Sequence, residues 1–257
     1  MLIDQSQYEV ILWLWILIAA LTFILLIYVR APYGRYEHPG WGPRISARVG
    51  WIIMESPCII IMTSFFLYSV YKWGEIDLIS TFFFIMWLTH YIHRSWIWPF
   101  RANISNKKMP IKITLMAIGF NSINSWVNAE WIFNLNFPYP KAWIYSPQFI
   151  IGFILFLIGI VINIKSDNIL FSLRKHGSSD YKIPTSGLFK WVSSPNYFGE
   201  ILEWIGWALA TWSLAGLSFA IWAIANLVPR ARSNHQWYID NFLNYPTNRK
   251  NLIPKIW

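Results

Sequence analysis

The chain has 257 residues, 56% of them hydrophobic and only 13% charged. A soluble domain carries roughly 25% charged residues, so this sequence lacks the polar surface to face water on every side, and a water-soluble globular protein is excluded. A net charge of +9 raises nucleic acid as a partner, but the placement of the basic residues accounts for that charge in another way.

No Gly/Ser-rich linker, internal repeat or low-complexity tract divides the chain, and one domain over residues 1–257 is expected. Residues 1–9 carry Asp4 and Glu9 and no base, unlike the positive start of a secretory signal. Val10–Val29, whose one polar residue is Thr22, therefore reads as a membrane anchor. Further spans are predicted at Ala47–Tyr71, Ile76–His93, Ile111–Phe133 and Pro147–Ile164. The last apolar run, Phe198–Val228, would reach roughly 46 Å as one helix, against a hydrocarbon core of about 30 Å. A reversal near Ser213–Gly216 divides it in two. The expected fold is all-α and polytopic, with seven transmembrane helices.

The loops support that number. Arg30, Arg35, Arg44 and Arg48 follow span one. Arg94, Arg101, Lys107, Lys108 and Lys112 follow span three, and Lys165, Arg174, Lys175, Lys182 and Lys190 follow span five. Arg230, Arg232, Arg249, Lys250 and Lys255 follow span seven, leaving only Lys72 and Lys141 on the opposite side. Basic loops stay in the cytoplasm, so the N-terminus is expected outside and the C-terminus inside. The charge then reports topology, and no nucleic-acid partner is expected. Basic residues beyond those that orientation needs remain free for a phosphate-rich cofactor.

Polar residues inside spans are costly and mark function by default. Glu55 enters span two from the cytoplasmic side, and Tyr91 lies at similar depth near the end of span three. Desolvation there favours the neutral carboxylic acid. The two side chains read either as a structural hydrogen bond between helices or as paired donors for a substrate carbonyl. In span four, Asn121, Asn124, Ser125 and Asn128 share one helix face, either as glue between helices or as the lining of a polar cavity. Glu130 is expected to reach the outer headgroups. Asn163, Ser166 and Asp167 mark the end of span five, and Glu200 and Glu203 open span six. The connector between those spans, Lys165 to Asn196, is long enough to suggest a functional segment. Cys58, the one cysteine, reads as a small buried hydrophobe. No Rossmann, Walker A, H-E-x-x-H, C-x-x-C or G-x-S-x-G pattern occurs, and His90 and His93 lack partners for a metal site, so no metal is expected.

From Asn163 the chain runs N-I-K-S-D-N-I-L-F-S-L-R-K, continues through Tyr181-Lys-Ile-Pro184 and Ser194-Pro-Asn196-Tyr-Phe-Gly199-Glu200, and reaches Glu203-Trp204-Ile-Gly206-Trp. Arg230-Ala, His235-x-x-Tyr238 and Tyr245-Pro246-x-x-Arg249-Lys250 follow. These spaced positions resemble the steroid 5α-reductases, densely over residues 150–257. Upstream, Glu55-x-Pro57 and His90-Tyr91-x-His93-Arg94 resemble them as well. Met54 stands where that family often has Gln, Ser186 where Gly is common, and Asn234 interrupts a histidine run.

The resemblance implies an NADPH-dependent reductase of 3-oxo-Δ4 steroids with its cofactor site open to the cytosol. Glu55 and Tyr91 would hold the 3-oxo group as the catalytic pair. Arg94, Asn163, Asp167, Arg174, Tyr181, Asn196, Glu200, Arg230, Asn234 and Tyr238 would hold NADPH. Residues 1–135 would mainly contact steroid and residues 150–257 mainly cofactor. Hydride delivery to C5 would place charge on the C3 oxygen, stabilised by Tyr91 and protonated Glu55. The partners implied are a steroid or similar lipid enone and the bilayer, in a bacterial inner membrane or the endoplasmic reticulum. No obligate protein partner is evident. The rival readings are an enoyl-thioester or polyprenol reductase and, outside enzymes, a small-molecule transporter, whose repeat symmetry is absent here.

Overall fold

A computed structural model describes residues 4–30, 32, 34–36, 40–104, 106–173 and 181–257. Helix α1 (Gln5–Tyr28) leads to strand β1 (Arg44–Ser46), α2 (Ala47–Trp73) and α3 (Leu78–Ile92). A π turn, His93–Ile97, joins α3 to the short α4 (Trp98–Arg101). Strand β2 (Lys108–Pro110), α5 (Ile111–Glu130), α6 (Pro147–Leu173), α7 (Pro195–Thr211) and α8 (Leu214–Asn241) complete the order. The seven longer helices lie where the apolar runs predict them.

Helix ends follow local chemistry. The Asp4 carboxylate accepts the Gln7 backbone N–H at 2.8 Å, so α1 begins earlier than hydropathy alone suggests. The last turn of α2 closes on Gly74, left-handed at φ 77°, whose N–H donates to Val70. Asp77 caps α3 by accepting from the Ser80 backbone N–H at 2.8 Å. The predicted reversal in the last apolar run is made by Trp212, in the left-handed region at φ 46°, and Ser213.

Two expected boundaries are corrected. Helix α6 continues from Ile164 to Leu173, and α8 from Val228 to Asn241. Asn163, Ser166 and Asp167 therefore stand inside a helix and are buried. Arg230, Asn234 and Tyr238 likewise stand on a helix and not on a tail. Polar side chains satisfied by neighbouring groups do not end a helix, which is why the apolar run stops before the helix does.

Four helices, α1, α2, α6 and α8, are long and apolar enough to cross a membrane. The exposed side chains of α1, among them Trp13, Leu14, Leu17 and Leu21, are those that hydrocarbon would cover. This is the surface of a membrane protein.

The chain forms two compact units. The first comprises Met1–Trp13, Pro32–Ile150 and Thr211–Ala215; the second comprises Leu14–Ala31, Ile151–Ala210 and Gly216–Trp257. In the first unit α2 packs along α5, and β1 pairs antiparallel with β2, Ile45 opposite Met109. Tyr8 anchors α1 there, its hydroxyl donating to the Val127 carbonyl at 2.7 Å among Leu12, Trp131 and Ala215.

In the second unit α6 and α7 meet through glycines two helical turns apart, Gly152 and Gly159 on one side, Gly199 and Gly206 on the other. A Cβ on Gly159 would overlap the backbone of Glu203 and Gly199, and one on Gly152 the backbone of Ala210 and Gly206. Glycine here permits backbone contact between helices, and that contact brings Asn163 up to the first turns of α7.

Candidate active site

In the first unit, Glu55 projects from α2 in the turn that holds Pro57, which cannot donate a backbone hydrogen bond to Ile53. Its Oε2 accepts from the Asn121 side-chain amide on α5 at 3.2 Å, and the same nitrogen donates to the Met54 carbonyl at 2.6 Å. The fully buried Cys58 thiol, one turn along α2, lies beside Glu55, Tyr91 and Ser125. Its hydrogen is directed at the Asn121 carbonyl, 3.9 Å away. Tyr91 is buried on α3 with its ring 4.9 Å from Trp87, and the Trp87 indole donates to the Cys58 carbonyl at 3.0 Å. Glu55 and Tyr91, paired in sequence by depth alone, thus both border Cys58.

The amide stripe of α5 is one buried face, as expected. Asn128 donates to the Asn124 carbonyl at 2.9 Å. The Asn124 amide is 0% exposed, and neither of its polar atoms has a hydrogen-bond partner among the described residues. Glu130 departs from expectation: it is 4% exposed and accepts from Asn134 at 3.0 Å, so it is held inside the unit and does not reach headgroups. The π turn carries Arg94, whose guanidinium stacks on Trp51 at 4.7 Å and Trp98 at 5.0 Å. Trp51 returns a hydrogen bond to the Arg94 carbonyl at 3.2 Å. Arg94 therefore shares its unit with Glu55 and Tyr91.

The second unit gathers the other sequence-predicted residues into a polar cluster. The Asn163 amide donates to the Asn196 carbonyl at 3.0 Å and to Glu200 at 3.3 Å, while the Asn196 amide donates to Asp167 at 3.1 Å. Arg230 donates from Nε to the Tyr197 hydroxyl at 2.8 Å, and Asn234 donates to Ser194 at 3.4 Å. Tyr181 packs edge-on against Trp237, which in turn contacts Tyr238. Arg174 lies outside the described residues.

A group that sequence reasoning left unassigned adjoins this cluster. The Ser193 hydroxyl bonds His235 Nδ1 at 2.5 Å and the Tyr245 hydroxyl at 2.7 Å. The C-terminal segment docks here because Lys250 pairs with residues 191 and 193, its N–H donating to Trp191 and its carbonyl accepting from Ser193. That docking carries Arg249 inward to 5% exposure, with its guanidinium 5.1 Å from the Tyr245 ring centroid. Its Nε and Nη1 have no hydrogen-bond partner among the described residues. Arg249 and Lys250 both act electrostatically on His235. The available signal was the C-terminal Tyr245-Pro246-x-x-Arg249-Lys250 motif, but Arg249 served there only as a topological charge.

A protein-family model described as 3-oxo-5-alpha-steroid 4-dehydrogenase matches residues 107–257. The chain belongs to that family. It is 38% identical over 262 residues to "Steroid 5-alpha-reductase DET2" from Gossypium hirsutum, covering 99% of each chain. It is 39% identical over 239 residues to "3-oxo-5-alpha-steroid 4-dehydrogenase 1" from Rattus norvegicus, covering 92% of this chain and 90% of that one. The human protein of the same name is 40% identical over 225 residues, covering 86% and 85%. The family match takes in Asn121 and the whole polar cluster of the second unit, whereas Glu55, Tyr91 and Arg94 lie upstream of it. An oxidoreductase acting on CH–CH groups follows from membership.

Proposed function

We propose that this chain reduces the Δ4 double bond of 3-oxo-Δ4 steroids to 5α-dihydro-3-oxosteroids, with NADPH as reductant. The observation that carries the reading furthest is the Glu55 carboxyl, held by Asn121 on a helix interface beside Cys58, whose thiol Tyr91 also borders. A carboxylic acid and a phenol together can donate two hydrogen bonds to the 3-oxo group. As C5 is reduced, negative charge develops on that oxygen, and donors already in place stabilise it without reorganisation. The steroid-contacting part is mainly residues 1–135 in this reading.

Residues 150–257 supply most of the dinucleotide site. The fit rests on donor chemistry: the buried Arg249 guanidinium, whose Nε and Nη1 have no partner among the described residues, lies beside His235 and Lys250 and suits an anionic oxygen. Asp167, Glu200 and the two amides suit hydroxyl and carboxamide groups. When bound, NADPH supplies the hydride. Arg94, Asn163, Asp167, Arg174, Tyr181, Asn196, Glu200, Arg230, Asn234 and Tyr238 are assigned to it, and Arg249 joins them. Replacing Arg249, Arg230 or Arg174 by Ala is expected to raise KM for NADPH about 10-fold or more, from roughly 1.5–3 kcal/mol per charge-assisted hydrogen bond. Cofactor titrations identical to wild type in all three variants would refute the placement.

The reading includes seven membrane passes, with the N-terminus outside and the cofactor end in the cytoplasm, in a bacterial inner membrane or the endoplasmic reticulum. It rests on the one-sided basic loops. A reporter fused after Trp257 should face the cytoplasm and one before Met1 the opposite side; termini on the same side would remove it. The function itself is tested by incubating purified protein with testosterone and NADPH and identifying products by mass spectrometry. The expected product is the 5α-dihydro ketone. An untouched steroid alongside a saturated enoyl thioester would replace this reading with its nearest rival.

A further inference from the structure

We propose that Asn121 is a positioning residue that decides which oxygen of Glu55 carries the proton; the inference rests on the reading of Glu55 as a neutral acid. Met54 and Glu55 are consecutive on α2, and one amide nitrogen from α5 reaches both, at 2.6 Å to the Met54 carbonyl and 3.2 Å to Glu55 Oε2. Both partners are acceptors, so the amide must present its NH₂ group to them and not its oxygen. The carbonyl bond fixes the rotamer, and the carboxyl bond follows from it.

A neutral carboxyl group has one acceptor oxygen and one hydroxyl. An N–H directed at Oε2 favours Oε2 as the acceptor, because a proton there would set donor against donor. The acidic hydrogen therefore sits on Oε1. Without the amide that preference is lost, and the fraction of molecules with a donor aimed at the substrate falls. The main chain of the same residue contributes as well. Its carbonyl lies 3.9 Å from the Cys58 thiol, which borders both Glu55 and Tyr91. Asn121 thereby touches the acid through its side chain and the group between acid and phenol through its backbone. The carboxamide does not meet the reacting atoms. It acts through Glu55.

The experiment measures kcat and KM for testosterone at saturating NADPH, from mildly acidic to mildly alkaline pH, for wild type, Asn121→Leu, Asn121→Asp and Glu55→Gln. Asn121→Leu removes the donor at similar size, and kcat is expected to fall about tenfold or more, with KM nearly unchanged. Asn121→Asp keeps the shape but donates to Oε2 only when protonated. Ionised, it instead competes for the single proton of the pair. Its activity relative to wild type should therefore rise as pH falls, a response that a merely structural contact would not produce. Asn121→Asp also guards against misfolding of the leucine variant, since its pH profile decides the matter alone. A profile parallel to wild type would overturn the proposal. If Glu55→Gln loses activity while Asn121→Asp keeps that parallel profile, only the role of Asn121 fails. If Glu55→Gln turns over at the wild-type rate, the neutral-acid reading beneath it has failed.

Discussion

Glu55→Gln should lower kcat for a 3-oxo-Δ4 steroid by about 10²–10³, the scale of losing one oxyanion donor, while NADPH binding survives. Glutamine is nearly isosteric, so packing between α2 and α5 is retained. The Asn121 N–H, 3.2 Å from Oε2, would hold the new amide by its oxygen and leave the NH₂ group in place of the acid O–H. The variant therefore still donates a hydrogen bond but is no longer an acid. If Glu55 only ties two helices together, Glu55→Gln keeps most of its activity. Tyr91→Phe should lose a comparable factor. The double variant should lose less than the product of both, because the two groups act on one oxygen. Steady-state kinetics on the three proteins, with NADPH binding measured separately, check this. Near wild-type turnover by Glu55→Gln would remove the catalytic role while leaving family membership untouched.

Gly159→Leu should cost the second unit its packing. The Cβ of any residue at 159 would meet the backbone of Glu203 and Gly199, neither of which can step aside by changing a rotamer. The helices must separate, at about 3 kcal/mol or more, the upper end of overpacking in a close-packed interior. Separation also pulls Asn163 away from Asn196 and Glu200, bonds that span α6 and α7 at 3.0 and 3.3 Å. Thermal unfolding in detergent should show a clear loss of stability, with weaker NADPH binding in whatever protein remains folded. Gly119→Ala on α5 is the control: nothing lies within 4 Å of its added Cβ, so it should melt as wild type does. A Gly159→Leu protein with wild-type stability would show that the glycine contact is not needed.

The glycine face illustrates what a linear reading cannot supply. Each of those glycines is visible in the sequence, but the two-turn spacing becomes meaningful only when α7 is placed against α6. Asn121 is the same case. Its stripe with Asn124, Ser125 and Asn128 is legible from helical period alone, and burial of all four follows it. The identity of its partner is not legible, because Glu55 lies 66 residues upstream on another helix.

The sequence by itself determined the membrane class, the seven helices, the reversal within the last apolar run and the family. These depend on hydropathy, period and local turn chemistry, which act over a few residues and are written where they act. The tertiary structure alone decided the partners of the buried polar groups. It buried Glu130, stacked Arg94 on two tryptophans, and carried α6 and α8 beyond their apolar runs. It also drew Arg249 out of solvent by docking the C-terminal segment on residues 191–193. Burying a polar side chain without a partner is costly, and which partner is within reach depends on helices brought together from distant parts of the chain.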